Sequence, residues 1–186
     1  LMSKAGYEHN TCVGGGVEYY LERGYVPMGI DADAYHTQGA ATMTLEYAYH
    51  DWAHAQLARV LGHEEDAHLL SLRASNYRNL WNPESRYFQP RDMHGAFLSD
   101  FHPMSGRGWV EGNAHHYRWY APHDVRGLIE LFGGKDRFVD ELNELFERAQ
   151  DHGFTCTHGC HTDGYMDYGN QPCMYLAHLF NHADAP

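Results

Sequence analysis

Gly108-Trp109-Val110-Glu111-Gly112-Asn113-Ala114-His115-His116-Tyr117-Arg118-Trp119-Tyr120-Ala121-Pro122-His123-Asp124-Val125 is the stretch on which the fold and most of the chemistry turn. Residues 112–120 read as a helix flanked by aromatics. Pro122 suits the first turn of the next helix, where a missing N–H costs nothing. Gly133 and Gly134 close that second helix. One short segment thus carries two helices, a tight connection, and a carboxylate at the point where the chain enters the first of them.

The same grammar extends outward. Phe138, Leu142, Leu145, Phe146 and Ala149 recur at i, i+4, i+7, i+8 and i+11, while Asp140, Glu141, Glu144 and Glu147 face away. That spacing predicts an amphipathic helix over 136–150. A last helix follows Pro172 and carries Met174, Leu176, Ala177, Leu179 and Phe180. Upstream, residues 40–61 form a long helix. Leu45, Ala48, Trp52 and Ala55 line one side, and Tyr49, Ala53, Leu57 and Val60 line another. A helix apolar over so much of its circumference is expected to be buried, and Gly62 ends it. A further helix covers 64–81, Asn82-Pro83-Glu84-Ser85 turns the chain, residues 86–91 are extended, and 92–95 turn again. A short helix over 15–23 stops at Gly24. The sum is an all-α chain of five or six helices in one domain, 1–186. Buried helices alternate with amphipathic ones, as in two concentric layers.

Thirteen Lys and Arg against 25 Asp and Glu give a formal charge of −12. That balance argues against a nucleic-acid partner, whose affinity comes from cations releasing counterions. An acidic chain with 14% aromatic residues suits a neutral polyhydroxylated ligand, since carboxylates accept from hydroxyls and flat rings cover a sugar's apolar face. No run of about 18 apolar residues crosses a membrane, and the start of the chain lacks the apolar core of a signal peptide. Localisation is open on these grounds. Cys12, Cys156, Cys160 and Cys173 are too few for a disulfide scaffold.

Three groups of residues carry more polar chemistry than a core requires. Glu46 lies mid-helix in an apolar run, where a buried carboxylate costs several kcal/mol unless paired; a structural ion pair and a substrate contact both fit. Glu111, between Trp109 and Trp119, either caps the following helix and complements its dipole or sits against aromatic walls that keep it protonated as a general acid. Asn170 and Gln171 present amide oxygens of the kind calcium accepts, and equally form an ordinary turn before Pro172. His50 and His54 have the i, i+4 spacing of zinc peptidases, but Asp51 stands where those enzymes have a catalytic Glu. Cys156, His158, Cys160 and His161 cluster without the repeated two-residue Cys spacing of a structural zinc site.

Taken in order, Gly24-Tyr-Val-Pro, Thr44-Leu-Glu-Tyr-Ala-Tyr, Asn76-Tyr-Arg-Asn-Leu-Trp, Glu111-Gly-Asn-Ala, Tyr117-Arg-Trp-Tyr-Ala-Pro-His-Asp-Val, Gly127-Leu-Ile-Glu-Leu-Phe-Gly-Gly and Gly169-Asn-Gln-Pro resemble the glycoside hydrolase family 92 α-mannosidases. The resemblance runs from about residue 14 to the C-terminus.

It implies a partial helical catalytic domain, part of an (α/α)6 toroid that a β-sandwich precedes in the whole protein. It also implies an exo-acting, calcium-assisted enzyme that removes terminal mannose from a glycan with inversion, and a secreted or periplasmic location. Glu111 falls on the family's general acid. Glu46, Trp109, Asn113, His115 and His116 become substrate-binding candidates, and Asn170 and Gln171 metal candidates. The base, a second carboxylate about 6.5–9.5 Å from the acid, belongs to a downstream segment outside this chain, so the isolated chain is expected to be inactive. Two departures stand out. Gln171 replaces the family's usual Glu, removing a negative ligand, and His115-His116 replace the common Trp-Gln after the acid motif. The alternatives are another inverting (α/α)6 glycosidase, or a carbohydrate-binding or scaffold domain without catalysis.

Overall fold

The computed structural model describes residues 15–30, 39–154 and 163–185. They are mainly helical, with a single two-stranded hairpin, and the all-α class is as expected. The chain forms two compact units. One contains the described residues up to Leu80, plus 89–99 and 107–110; the other contains 81–88, 100–106 and the described residues from Glu111 onward.

In the first unit, α1 (Val17–Arg23) ends at Gly24, whose φ of 76° lets its N–H reach back to the Tyr20 carbonyl at 2.8 Å. This is the left-handed stop that glycine adopts most readily. Tyr20, Val26, Ala40, Met43 and Tyr47 form a buried cluster under α1 and the start of α2 (Ala40–Val60). The Thr44 hydroxyl accepts from the Val26 N–H at 2.9 Å and donates to the Ala40 carbonyl at 2.9 Å, pinning the loop after α1 to α2. The N-terminus of α2 is fixed from the side. The Gly108 carbonyl accepts from the Ala41 N–H at 3.0 Å, and the Thr42 hydroxyl accepts from the Val110 N–H at 3.0 Å.

Helix α2 is not buried all round. Ala48, Asp51, Ala55 and Ala58 are enclosed, but Trp52, Leu57 and Val60 are 37%, 48% and 84% exposed. Small side chains on one stripe let α3 (Glu64–Arg73) approach, while on the other side Trp52 stacks on Tyr49 at 5.8 Å and Leu57 and Val60 reach solvent. Asp51 is the polar centre of this packing. It accepts from the Tyr20 hydroxyl at 3.0 Å and from Arg73 Nε and Nη2 at 3.0 and 2.6 Å. Paired in this forked geometry, a buried carboxylate is stable where an isolated one is not.

The helix expected over 64–81 changes character at Ala74 and continues as a 3-10 helix to Leu80. Within that segment the Asn79 side-chain amide donates to the Gly24 carbonyl at 2.9 Å.

In the second unit, β1 (Trp81–Asn82) pairs antiparallel with β2 (Tyr87–Phe88), Trp81 opposite Phe88. Among the described residues, strand pairing is confined to this hairpin and, in the first unit, an isolated bridge between Arg91 and Phe97. Helix α4 (Ala114–Tyr117) is shorter than the predicted 112–120. Helix α5 (Val125–Phe132) starts later than Pro122 suggests, because the Asp124 side chain caps it by accepting from the Gly127 N–H at 2.9 Å. Helix α6 (Lys135–His152) buries Phe138, Leu142, Leu145 and Ala149, the predicted stripe.

The core here is aromatic. Trp119 stacks on Phe132 at 4.7 Å and meets Phe138 edge-on at 5.3 Å, and Trp81 packs on Phe132 at 5.1 Å and Phe88 at 5.3 Å. Such edge and offset contacts exceed plain area burial. After Pro172 the chain forms 3-10 turns at Gln171–Cys173 and Leu176–His178 and a single helical turn, α7 (Leu179–His182), instead of one continuous helix.

Candidate active site

The Glu-Gly-Asn segment is built so that three consecutive residues do three different jobs. Asn113 is fully buried and caps α4: its side-chain oxygen accepts from the N–H groups of His115 and His116 at 2.9 and 3.2 Å. Its Nδ2 donates to the Gly164 carbonyl at 3.0 Å. The cap that Glu111 was a candidate to supply therefore comes from Asn113, the residue type and position favoured for it. Gly112 has no room for a side chain, since a Cβ would lie 2.9 Å from the Tyr117 ring and 3.2 Å from His116 Nδ1. Glu111 has a φ of 48° and an exposed side chain, and its carbonyl accepts from Asn170 Nδ2 at 2.6 Å.

The aromatic enclosure expected around Glu111 is absent within its unit. Trp119 is spent on the Phe132 and Phe138 core, and Trp109, itself buried, belongs to the first unit with Glu46. The described structure thus gives Glu111 an exposed carboxylate on an anchored backbone, not a buried one. Glu46 is also less enclosed than the apolar pattern suggested. Its side chain is 34% exposed and faces His50 at 4.0 Å, one turn away on α2.

His115 and His116 are buried beneath the segment. His115 Nδ1 lies 3.0 Å from the Tyr87 hydroxyl, and its ring meets Tyr87 and Tyr165 edge-on at 5.3 and 4.9 Å. Burial, then the Arg118 charge and the neighbouring His116, Arg148 and His102, push its pKa down to about 3, so the ring is neutral at physiological pH. Arg118 lies over the Tyr87 ring at 4.4 Å and, enclosed itself, shares Glu141 with the more exposed Arg86. Arg86 Nε lies 2.7 Å from one Glu141 oxygen and Arg118 Nη2 bonds the other. Tyr87 does not stand out in sequence, and Glu141, expected to face away from the buried stripe, has a side chain only 11% exposed, because nothing in their local spacing reveals partners 28 and 23 residues away.

Calcium needs six to eight oxygen ligands. Asn170 is 5% exposed; its Oδ1 accepts from the Gln171 N–H at 2.9 Å while its Nδ2 serves Glu111. Gln171 is exposed, and among the described residues no three His, Cys, Asp or Glu side chains gather as a metal site, His50 and His54 included. These residues alone do not fit a calcium cage. Cys156, His158, Cys160 and His161 lie outside the described residues. Cys173 is a buried free thiol.

The model of the glycosyl hydrolase family 92 catalytic domain matches residues 2–186. The chain belongs to glycosyl hydrolase family 92. Among solved family 92 structures, an α-mannosidase from Bacteroides thetaiotaomicron is 34% identical with a TM-score of 0.76, over 94% of this chain and 21% of its own. An inverting mannosidase from the same organism is 30% identical with a TM-score of 0.74, over 89% of this chain and 23% of its own. A curated relative, an uncharacterized secreted glycosidase of Arthroderma benhamiae, is 24% identical over 92% of this chain and 24% of its own length. The chain thus spans less than a quarter of the length of these relatives. No helix among the described residues is long and apolar enough to cross a membrane.

Proposed function

We propose that the longer polypeptide to which this chain corresponds hydrolyses terminal α-mannosidic bonds of a glycan with inversion, and that this chain supplies the general acid, Glu111. The observation that carries the reading is an exposed carboxylate in a family 92 chain, set on a backbone whose carbonyl and following cap are both hydrogen-bonded to fixed partners. Mannosidase relatives at 30% identity or above support the substrate class.

In this mechanism the Glu111 carboxyl gives its proton to the departing glycosidic oxygen as the bond from that oxygen to the sugar's anomeric carbon breaks. Water attacks the same carbon from the opposite face and loses its proton to a second carboxylate, about 6.5–9.5 Å from the first. That base is supplied elsewhere in the polypeptide. Asn113, His115 and His116 act from beneath, shaping the segment that carries Glu111 instead of touching the sugar. Glu46 and Trp109 remain candidates for contacts with the mannose.

Calcium is part of the proposal as a metal that would help orient and flatten the sugar. Gln171 would offer one amide oxygen, and the other ligands would come from outside the described residues. The secreted relative supports a location outside the cytoplasm.

In the full-length protein, Glu111→Gln should lower turnover at least about 100-fold on a mannoside with a poor leaving group. It should act far less on an activated aryl mannoside, whose departing oxygen needs no proton. Equal rates for variant and parent on the poor leaving group would refute the assignment and favour a binding or scaffold role.

A further inference from the structure

Glu111 occupies the left-handed region, with φ 48°, although it carries a Cβ. Side chains with a Cβ enter that region only when their surroundings hold them there. On its C-terminal side the restraint is plain: Gly112 is packed against Tyr117 and His116, and Asn113 is locked as the cap of α4. On the carbonyl of Glu111 itself acts the side chain of Asn170, 59 residues away in sequence.

We propose that Asn170 is a positioning residue for Glu111, its Nδ2 N–H holding the backbone turn from which the carboxyl is aimed. The proposal rests on the reading of Glu111 as the acid. Asn170 is suited to the task because it is itself immobilised. Its N–H donates to the Asp167 carbonyl at 3.1 Å, its carbonyl accepts from the Cys173 N–H at 3.1 Å, and its Oδ1 accepts from the Gln171 N–H at 2.9 Å. The orientation of the amide follows from these contacts. Turning it over would bring its oxygen against the Glu111 carbonyl, two acceptors face to face, and would strip the Gln171 N–H of its acceptor. The sequence read Asn170 for its oxygen; in the structure its nitrogen does the distinctive work.

Asn170→Asp in the full-length protein isolates that nitrogen. The substitution keeps the shape, keeps an oxygen for the Gln171 N–H and for any calcium ion, and removes the donor to Glu111. On a mannoside with a poor leaving group, kcat should fall about 10- to 100-fold with KM little changed, the scale of a catalytic group displaced by about 1 Å. The rate on an activated aryl mannoside should stay near the parent's, which also certifies that the variant is folded. Added calcium should restore nothing.

Equal losses on both substrates would mean general structural damage, recovery with calcium would mean a metal-ligand role, and no loss would mean no role; each overturns the proposal. Should the Asp variant fail to fold, Asn170→Ala carries the same comparison. Glu111→Gln, run in parallel, separates the two claims. If it is unimpaired on the poor leaving group, the acid reading itself fails. If it is impaired and Asn170→Asp is not, only the positioning role fails.

Discussion

Replacing His115 with Asn should flatten the dependence of stability on acid. In the folded chain the imidazole is buried between Tyr87 and Tyr165, with Arg118, His116, Arg148 and His102 all disfavouring a positive charge, and its pKa is about 3 against an ordinary 6.5. The unfolded chain therefore takes up a proton as the pH falls through 6.5, and the folded chain does not. The sign is fixed by that difference: the unfolded state binds more protons, so stability falls as the pH is lowered through 6.5 and keeps falling until about pH 3. Each unit of separation is worth about 1.4 kcal/mol, which caps the effect at about 5 kcal/mol. Between about pH 7 and pH 5 the loss is about 2 kcal/mol.

Chemical denaturation of the full-length protein at those two pH values, parent beside variant, measures it. Every other titrating group is common to both proteins and cancels, leaving the His115 contribution as a difference of differences. The variant should be less stable at the higher pH, because it loses the Tyr87 hydrogen bond and the packing of the ring, yet lose about 2 kcal/mol less on acidification. The same acid-induced loss in both proteins would refute the argument that this imidazole is held neutral.

Two further outcomes follow from buried groups in the second unit. Glu141→Gln should destabilise the protein by about 3–5 kcal/mol, read from the denaturation midpoint, because it leaves Arg118 inside without its counter-charge; a loss below about 1 kcal/mol would show that water reaches the pair. The Cys173 thiol, pushed up to about 12 by burial, should resist alkylation in the native protein near pH 8 and react once denatured, as peptide mapping would show. Rapid native labelling would contradict its enclosure.

How much of this was legible in sequence depended on how far each residue's partners lay along the chain. Helix α6 was read nearly to the residue because Phe138, Leu142, Leu145 and Ala149 are fixed by their own spacing. The start of α5 was misplaced because a proline near the start is compatible with a first turn, whereas the decisive signal was the Asp124 side chain reaching the Gly127 N–H. The long helix reads as buried because Leu45, Ala48, Trp52 and Ala55 line one side and Tyr49, Ala53, Leu57 and Val60 another, yet Trp52, Leu57 and Val60 prove largely or partly exposed. Periodicity shows which residues share a face, not whether anything covers it.

The Glu-Gly-Asn segment is recognisable in sequence as a motif, but its internal division of labour is not. Trp119 is near Glu111 in sequence and yet belongs to an aromatic core assembled from Phe132 and Phe138. Asn170, remote in sequence, bonds the Glu111 carbonyl directly. A one-dimensional reading favours the near neighbour, and the folded chain uses the distant one.

With Glu111 as the proposed acid, its left-handed backbone would set stability and activity against each other at a single codon. Glycine would occupy that conformation with a relief of about 1 kcal/mol, so a screen that rewards only thermal survival should drift toward Glu111→Gly and discard the carboxylate.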